Sequence, residues 1–113
     1  MGKHTIEVMS RHAAACVTRE KTASSTAIIS ITDCGSALNS FHILGWLEGV
    51  LALQFDDVES GHNCISVSQA AEVAEFVLRV KKDVERIIVH CEFGQSRSAG
   101  IAAAIGRHRR GSL

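Results

Sequence analysis

One short segment of the chain combines residue types that could do nucleophilic chemistry on an anion. Cys91 follows an apolar, strand-like run, and Arg97 lies at the start of a helix-like segment shortly after it. A cysteine becomes a nucleophile when nearby positive charge lowers its pKa and stabilises the thiolate. The planar guanidinium of an arginine can bind two phosphate oxygens at once. The pair therefore predicts chemistry on a phosphate group.

The residues between Cys91 and Arg97 suit the binding of an anion. Inward-turned backbone N–H groups of such a loop can form an anion-binding concavity, and the N-terminus of the following helix adds unpaired N–H groups. Gly94 allows the chain to approach a ligand closely. We expect Ser98 to donate a hydrogen bond to the thiolate, and His90 to hold the loop rather than to act as a base. The predicted phosphate-binding residues are Glu92, Phe93, Gly94, Gln95, Ser96 and Arg97.

The segment His90–Ser98, HCEFGQSRS, resembles the signature H-C-x-x-G-x-S-R-S of the dual-specificity branch of the protein tyrosine phosphatase superfamily. The resemblance extends more faintly over Ile28–Ile105 and is greatest to small bacterial members. It implies hydrolysis of a phosphomonoester through a phosphocysteine intermediate, without metal or cofactor. The implied substrate is a phosphorylated protein or a small phosphoester. The implied fold is a three-layer α/β cysteine-phosphatase fold with a small, mostly parallel central sheet flanked by helices.

The resemblance also implies a general acid upstream of the cysteine. In the family, an aspartate on a loop after a strand protonates the leaving oxygen and then activates the hydrolytic water. Asp56 and Asp57 both follow the apolar run of residues 49–55. We favour Asp57, because Phe55-Asp56-Asp57 is similar to the arrangement in some relatives, and Asp56 remains the alternative.

Two other functions stay open on the sequence. The HCEF start of the segment is shared with rhodanese-like domains and cell-division-cycle phosphatases, although Gly94, Ser96 and Ser98 fit the dual-specificity pattern better. The third possibility is a phosphate-binding module without catalysis. Family members usually carry further helices after the one that starts at the loop, whereas only sixteen residues follow Arg97 here. We therefore expect this chain to lack those helices, to expose apolar surface and to self-associate.

The pattern of apolar residues predicts the elements that position these groups. β-branched and apolar runs predict strands at residues 5–9, 26–32, 49–55 and 86–90. Helical periodicity predicts helices at residues 11–17, 66–82 and 98–107, and residues 37–45 fit either a helix or an irregular crossing. The second helix has a predicted apolar stripe at Ala70, Val73, Ala74, Val77 and Val80. Alternating strands and helices predict an α/β fold with a largely parallel sheet.

Composition limits the remaining possibilities. A chain of 113 residues predicts one domain, residues 1–113. Twelve basic and twelve acidic residues cancel, which favours neither nucleic acid nor an anionic membrane as partner. The N-terminal residues show no signal-peptide pattern, so we expect a cytoplasmic protein. The four cysteines are widely and irregularly spaced, so we expect reduced thiols, with Cys34 a passive residue or a neighbour of Cys91.

Overall fold

The computed structural model describes residues 5–19, 25–34, 49–56, 65–91 and 96–111. These contain four strands and three helices. In chain order they are β1 (Thr5–Ser10), α1 (Arg11–Thr18), β2 (Thr26–Thr32), β3 (Gly49–Gln54), α2 (Val67–Val80), β4 (Arg86–Cys91) and α3 (Ser96–Gly111). The expected α/β class is confirmed, and each predicted strand and helix is present with ends shifted by a few residues.

The four strands form one parallel sheet in the order β1-β4-β2-β3. The two central strands, β2 and β4, are almost entirely buried, as their β-branched composition favours. Cys91 pairs in register with Ser10 on one side, while Ser30 pairs with His90 on the other. Because all strands run the same way, their carboxyl ends lie along one edge of the sheet, where ligands bind in α/β folds.

Helices cover both faces of the sheet. Successive side chains of a strand point to opposite faces, so Ile28 and Ile29 enter different clusters of buried residues. Ile28 packs with Ala14 of α1. Ile29 belongs to the larger cluster, which contains the buried residues of α2 and α3 and also Cys91. Cys91 therefore faces the layer that contains α3.

The start of α2 is fixed to the end of β3. Ser66 caps the helix by accepting from the Gln69 N–H at 3.1 Å, and Gln69 Oε1 accepts from the Ser66 N–H at 2.9 Å. Gln69 Nε2 also donates to the Gln54 carbonyl at 2.9 Å. At the other end of β3, a Cβ on Gly49 would lie 3.1 Å from both Phe76 and Val80. This strand can approach α2 so closely because residue 49 has no side chain.

Two sequence expectations need correction. The third helix begins at Ser96 rather than Ser98, so Arg97 and Ser98 both belong to its first turn. Two alanines of the predicted apolar stripe on α2, Ala70 and Ala74, are exposed, whereas Phe76 is buried. Both alanines line an open groove of about 130 Å³ between α2 and α3, which leaves them accessible to solvent. Residues 37–45 lie outside the described part of the chain.

Two features of the described helices concern membranes and self-association: their length and apolar character, and the apolar side chains that they expose. None of the helices in the described ranges is both long enough and apolar enough to cross a bilayer. On the surface, Val67 is 89% exposed and Leu78 is 51% exposed. Self-association through apolar surface stays a prediction.

Candidate functional site

Cys91 and Ser98 meet where the central strand β4 passes into α3. Cys91 is the last residue of β4 and Ser98 lies in the first turn of α3. The Cys91 Sγ and Ser98 Oγ atoms are 3.2 Å apart, and both residues are buried. A hydroxyl at this distance can donate to a thiolate. The role expected of Ser98 requires such a contact and stays a prediction.

Arg97 is held at the same edge of the sheet by two acceptors. Its Nη1 atom donates to Asp33 Oδ1 at 2.6 Å and to the Phe55 carbonyl at 2.9 Å. These acceptors directly follow β2 and β3, so the guanidinium spans the ends of two neighbouring strands. The Arg97 side chain is 9% exposed, whereas that of Asp33 is 58% exposed.

The opposite edge of this guanidinium has no partner within the described residues. An arginine has five N–H donors, two of them on Nη1. The two hydrogen bonds from Nη1 use both hydrogens of that atom. None of the described residues accepts a hydrogen bond from Nε or Nη2. An anion bound to this edge would supply acceptors for the remaining donors. The Nε and Nη2 edge is also the geometry that a bidentate phosphate contact needs.

The segment that contains the candidate acids is tied to the end of β2. Asp56 Oδ1 accepts from the Cys34 N–H at 3.0 Å, and the Phe55 N–H donates to the Thr32 carbonyl at 3.0 Å. Asp56 therefore closes the turn at Cys34. Asp57, the favoured general acid, lies outside the described residues.

His90 lies on the other face of the sheet from Cys91. It is fully buried, and its Nε2 atom is 2.8 Å from Ser30 Oγ on the neighbouring strand. Its Nδ1 atom is 3.4 Å from the Cys91 carbonyl oxygen. These contacts fix the end of β4 beside β2. A side chain on this face does not serve as a base for the Cys91 thiol.

Of the predicted site residues, the structure brings Cys91 and Ser98 into contact and places Arg97 at the same edge of the sheet. Of the predicted phosphate-binding residues, 92–95 lie outside the described part, and Ser96 is described only as the first residue of α3. The sequence pattern did not single out Asp33 as a site residue. One signal for it was available: Asp33 directly follows a buried strand, so parallel pairing would bring it to the edge where β4 ends.

The cysteines and acidic residues of the described part show no metal centre. Cys16, Cys34 and Cys91 form no disulfide bond, as expected of reduced thiols, and Cys64 lies outside the described residues. Within the described ranges, no three His, Cys, Asp or Glu side chains gather in a way that could hold a metal ion.

Comparisons with models of protein families, with curated proteins and with solved structures find no match to this chain. The function is therefore inferred from the residues and contacts at the carboxyl edge of the sheet. These contacts join a buried thiol, a hydroxyl that can donate to it and a guanidinium with one unpaired edge.

Proposed function

We propose that the protein hydrolyses phosphate monoesters through a phosphocysteine intermediate, in a fold of the cysteine-phosphatase type. The observation that carries the proposal is the unit formed by β4 and α3. Cys91 ends the strand, and Arg97 in the first turn of the helix keeps its Nε and Nη2 edge unpaired within the described residues. A thiolate and an anion-binding fork at one strand end are the two groups that this reaction needs.

The helix α3 adds to the attraction for an anion. Its first-turn N–H groups are not used within the helix, and the helix dipole places partial positive charge there. The first turn contains no acidic residue that would compete with a bound anion. A phosphate at this end of the sheet would thus receive backbone donors as well as the arginine.

The reaction has two steps. The Cys91 thiolate attacks phosphorus, the bond between phosphorus and the ester oxygen breaks, and an acid gives that oxygen a proton. Water then attacks phosphorus after giving a proton to the same carboxylate, and the bond between sulfur and phosphorus breaks. Ser98 stabilises the departing thiolate by donating to Sγ. We assign the acid to Asp57, since Asp56 already accepts the Cys34 N–H.

The proposed substrate is a phosphorylated protein or a small phosphoester, and the proposed chemistry needs no metal ion. All charge stabilisation in the two steps comes from the guanidinium, backbone N–H groups and the Ser98 hydroxyl. A small test ester can therefore stand in for the natural substrate in a first experiment.

The first test is hydrolysis of p-nitrophenyl phosphate in the presence of EDTA by wild type, Cys91→Ser and Cys16→Ser. We expect turnover by wild type and by Cys16→Ser, whose cysteine lies exposed on α1. We expect no turnover by Cys91→Ser, because a serine hydroxyl is a much weaker nucleophile at neutral pH.

Three results would contradict the proposal. Turnover that persists in Cys91→Ser would exclude a phosphocysteine intermediate. A folded wild type that transfers sulfur from thiosulfate but does not hydrolyse the ester would favour the rhodanese-like alternative. Binding of tungstate without turnover of any ester would favour the phosphate-binding module.

A further inference from the structure

We propose that Asp33 is a positioning residue that orients the Arg97 guanidinium for the bound phosphate. The inference rests on the proposed function and names a residue that the sequence pattern does not include. Asp33 lies 64 positions from Arg97 along the chain, yet its Oδ1 atom accepts from Nη1 at 2.6 Å. Asp33 acts through Arg97 and makes no contact with the substrate.

Two acceptors on one nitrogen atom determine the orientation of the guanidinium. A single hydrogen bond to Nη1 would leave the side chain free to swing about that bond. Asp33 and the Phe55 carbonyl together use both Nη1 hydrogens from two different strand ends. Because the group is planar, fixing Nη1 also fixes the direction of the Nε and Nη2 edge.

The exposure of the two side chains shows why this pair can orient Arg97 without cancelling its charge. Arg97 is only 9% exposed, whereas the Asp33 carboxylate is 58% exposed. Water screens a carboxylate that is this exposed, so its field at a buried phosphate is weakened. The hydrogen bond remains directional, and the guanidinium keeps enough positive field for a dianion.

The second acceptor connects this orientation to the acid. Phe55 directly precedes Asp56 and Asp57 in the chain. By holding the Phe55 carbonyl and Asp33 at once, Nη1 sets the position of the phosphate-binding edge relative to the segment that contains the acid. Loss of Asp33 leaves only the Phe55 contact and loosens the arginine.

The test compares wild type, Asp33→Ala, Asp33→Asn and Glu7→Ala. For each we would measure kcat and KM for p-nitrophenyl phosphate and the Kd for inorganic tungstate by calorimetry. The control removes a similar ion pair, Glu7 with Arg86 at 2.8 Å, which lies at the opposite edge of the sheet. Thermal unfolding of each variant identifies any general loss of structure.

We expect Asp33→Ala to lower kcat/KM and to weaken tungstate binding by roughly ten-fold each, because misplacement of a binding group is costly. Asn keeps an oxygen acceptor at the same distance from the backbone, so Asp33→Asn should recover both values to within about three-fold of wild type. Glu7→Ala should leave kcat, KM and the tungstate Kd unchanged.

The inference is overturned if Asp33→Ala matches wild type in kcat/KM and in tungstate Kd, or if Glu7→Ala produces the same loss. Should Asp33→Ala fail to fold, Asp33→Ser takes its place, since a serine hydroxyl is too short to reach Nη1. A wild type without turnover contradicts the proposed function instead. The tungstate Kd of the same variants then decides whether Asp33 orients an anion-binding arginine.

Discussion

At the scale of single residues, Asp56 and Asp57 are adjacent carboxylates for which we expect different roles. Asp56 Oδ1 closes the turn at Cys34 by accepting a backbone N–H. We therefore expect Asp57→Asn to lower kcat for phenyl phosphate by about 100-fold, because a general acid contributes at least that much. The loss should be smaller for p-nitrophenyl phosphate, whose leaving group needs less protonation.

Asp56→Asn is the matched control for this prediction. The asparagine amide keeps an oxygen that can accept the Cys34 N–H, so kcat should change little. A larger loss of kcat in Asp56→Asn than in Asp57→Asn would assign the general acid to Asp56. Steady-state rates with the two esters, measured for each variant, decide between the two carboxylates.

The sequence predicts residues of the site that are close together in the chain, and it misses those that only the sheet brings together. Cys91 and Ser98 belong to one continuous segment, so their types and spacing were sufficient to predict their contact. Asp33 reaches Arg97 only because β2 lies next to β4. Strand order depends on packing of the whole chain, and no local pattern specifies it.

At the scale of elements, the glycines at 49 and 100 should respond in opposite directions to the same substitution. A Cβ at Gly49 would meet the buried Phe76 and Val80 at 3.1 Å, whereas a Cβ at Gly100 meets nothing within 4 Å. Gly49→Ala should lower the free energy of unfolding by about 1 kcal/mol through overpacking. Gly100→Ala should raise it by about 1 kcal/mol, since alanine favours helix.

Urea unfolding of the two alanine variants beside wild type measures both effects. Equal changes in the free energy of unfolding, in the same direction, would contradict the prediction. They would mean that the close approach of β3 to α2 does not limit the size of the side chain at position 49. The comparison is well matched, because each variant adds one methyl group to a glycine in a regular element.

Element boundaries were predicted less well than the elements themselves. The small residues of α3 fit a helix, but nothing in the pattern shows whether Ser96 and Arg97 belong to the loop or to the first turn. Serine and arginine are found both in loops and in the first turns of helices. The contacts of Arg97 with the ends of β2 and β3 favour its place in the helix. Tertiary contacts therefore decided the start of this helix.

At the scale of the whole molecule, the ion pair between Glu7 and Arg86 connects the edge strand β1 to β4. The Arg86 guanidinium donates to both Glu7 carboxylate oxygens, at 2.9 and 2.8 Å, and these hydrogen bonds hold the pKa of Glu7 below its ordinary value of 4.5. A lowered pKa in the folded state means that the pair stabilises the protein above pH 4.5. This contribution is lost as the pH falls through the lowered pKa.

Glu7→Gln should therefore lower the free energy of unfolding at pH 7 by less than about 1 kcal/mol, because both side chains are about one-third exposed to water. The difference between wild type and the variant should shrink as the pH falls below 4.5. Urea unfolding at neutral and acidic pH measures it. A difference that stays constant across this pH range would show that the charge of Glu7 does not contribute.

The place of β4 in the sheet also determines when the proposed active centre can form. This strand is the last of the four described strands, yet it pairs with both β1 and β2, which do not pair with each other. A nascent chain that ends before residue 86 therefore leaves β1 without a partner among the described strands. Pairing between strands so distant in sequence slows folding. Cys91 is the final residue of this strand, so the proposed nucleophile takes its place only when the described sheet is complete. The proposed activity would therefore report on the completion of folding.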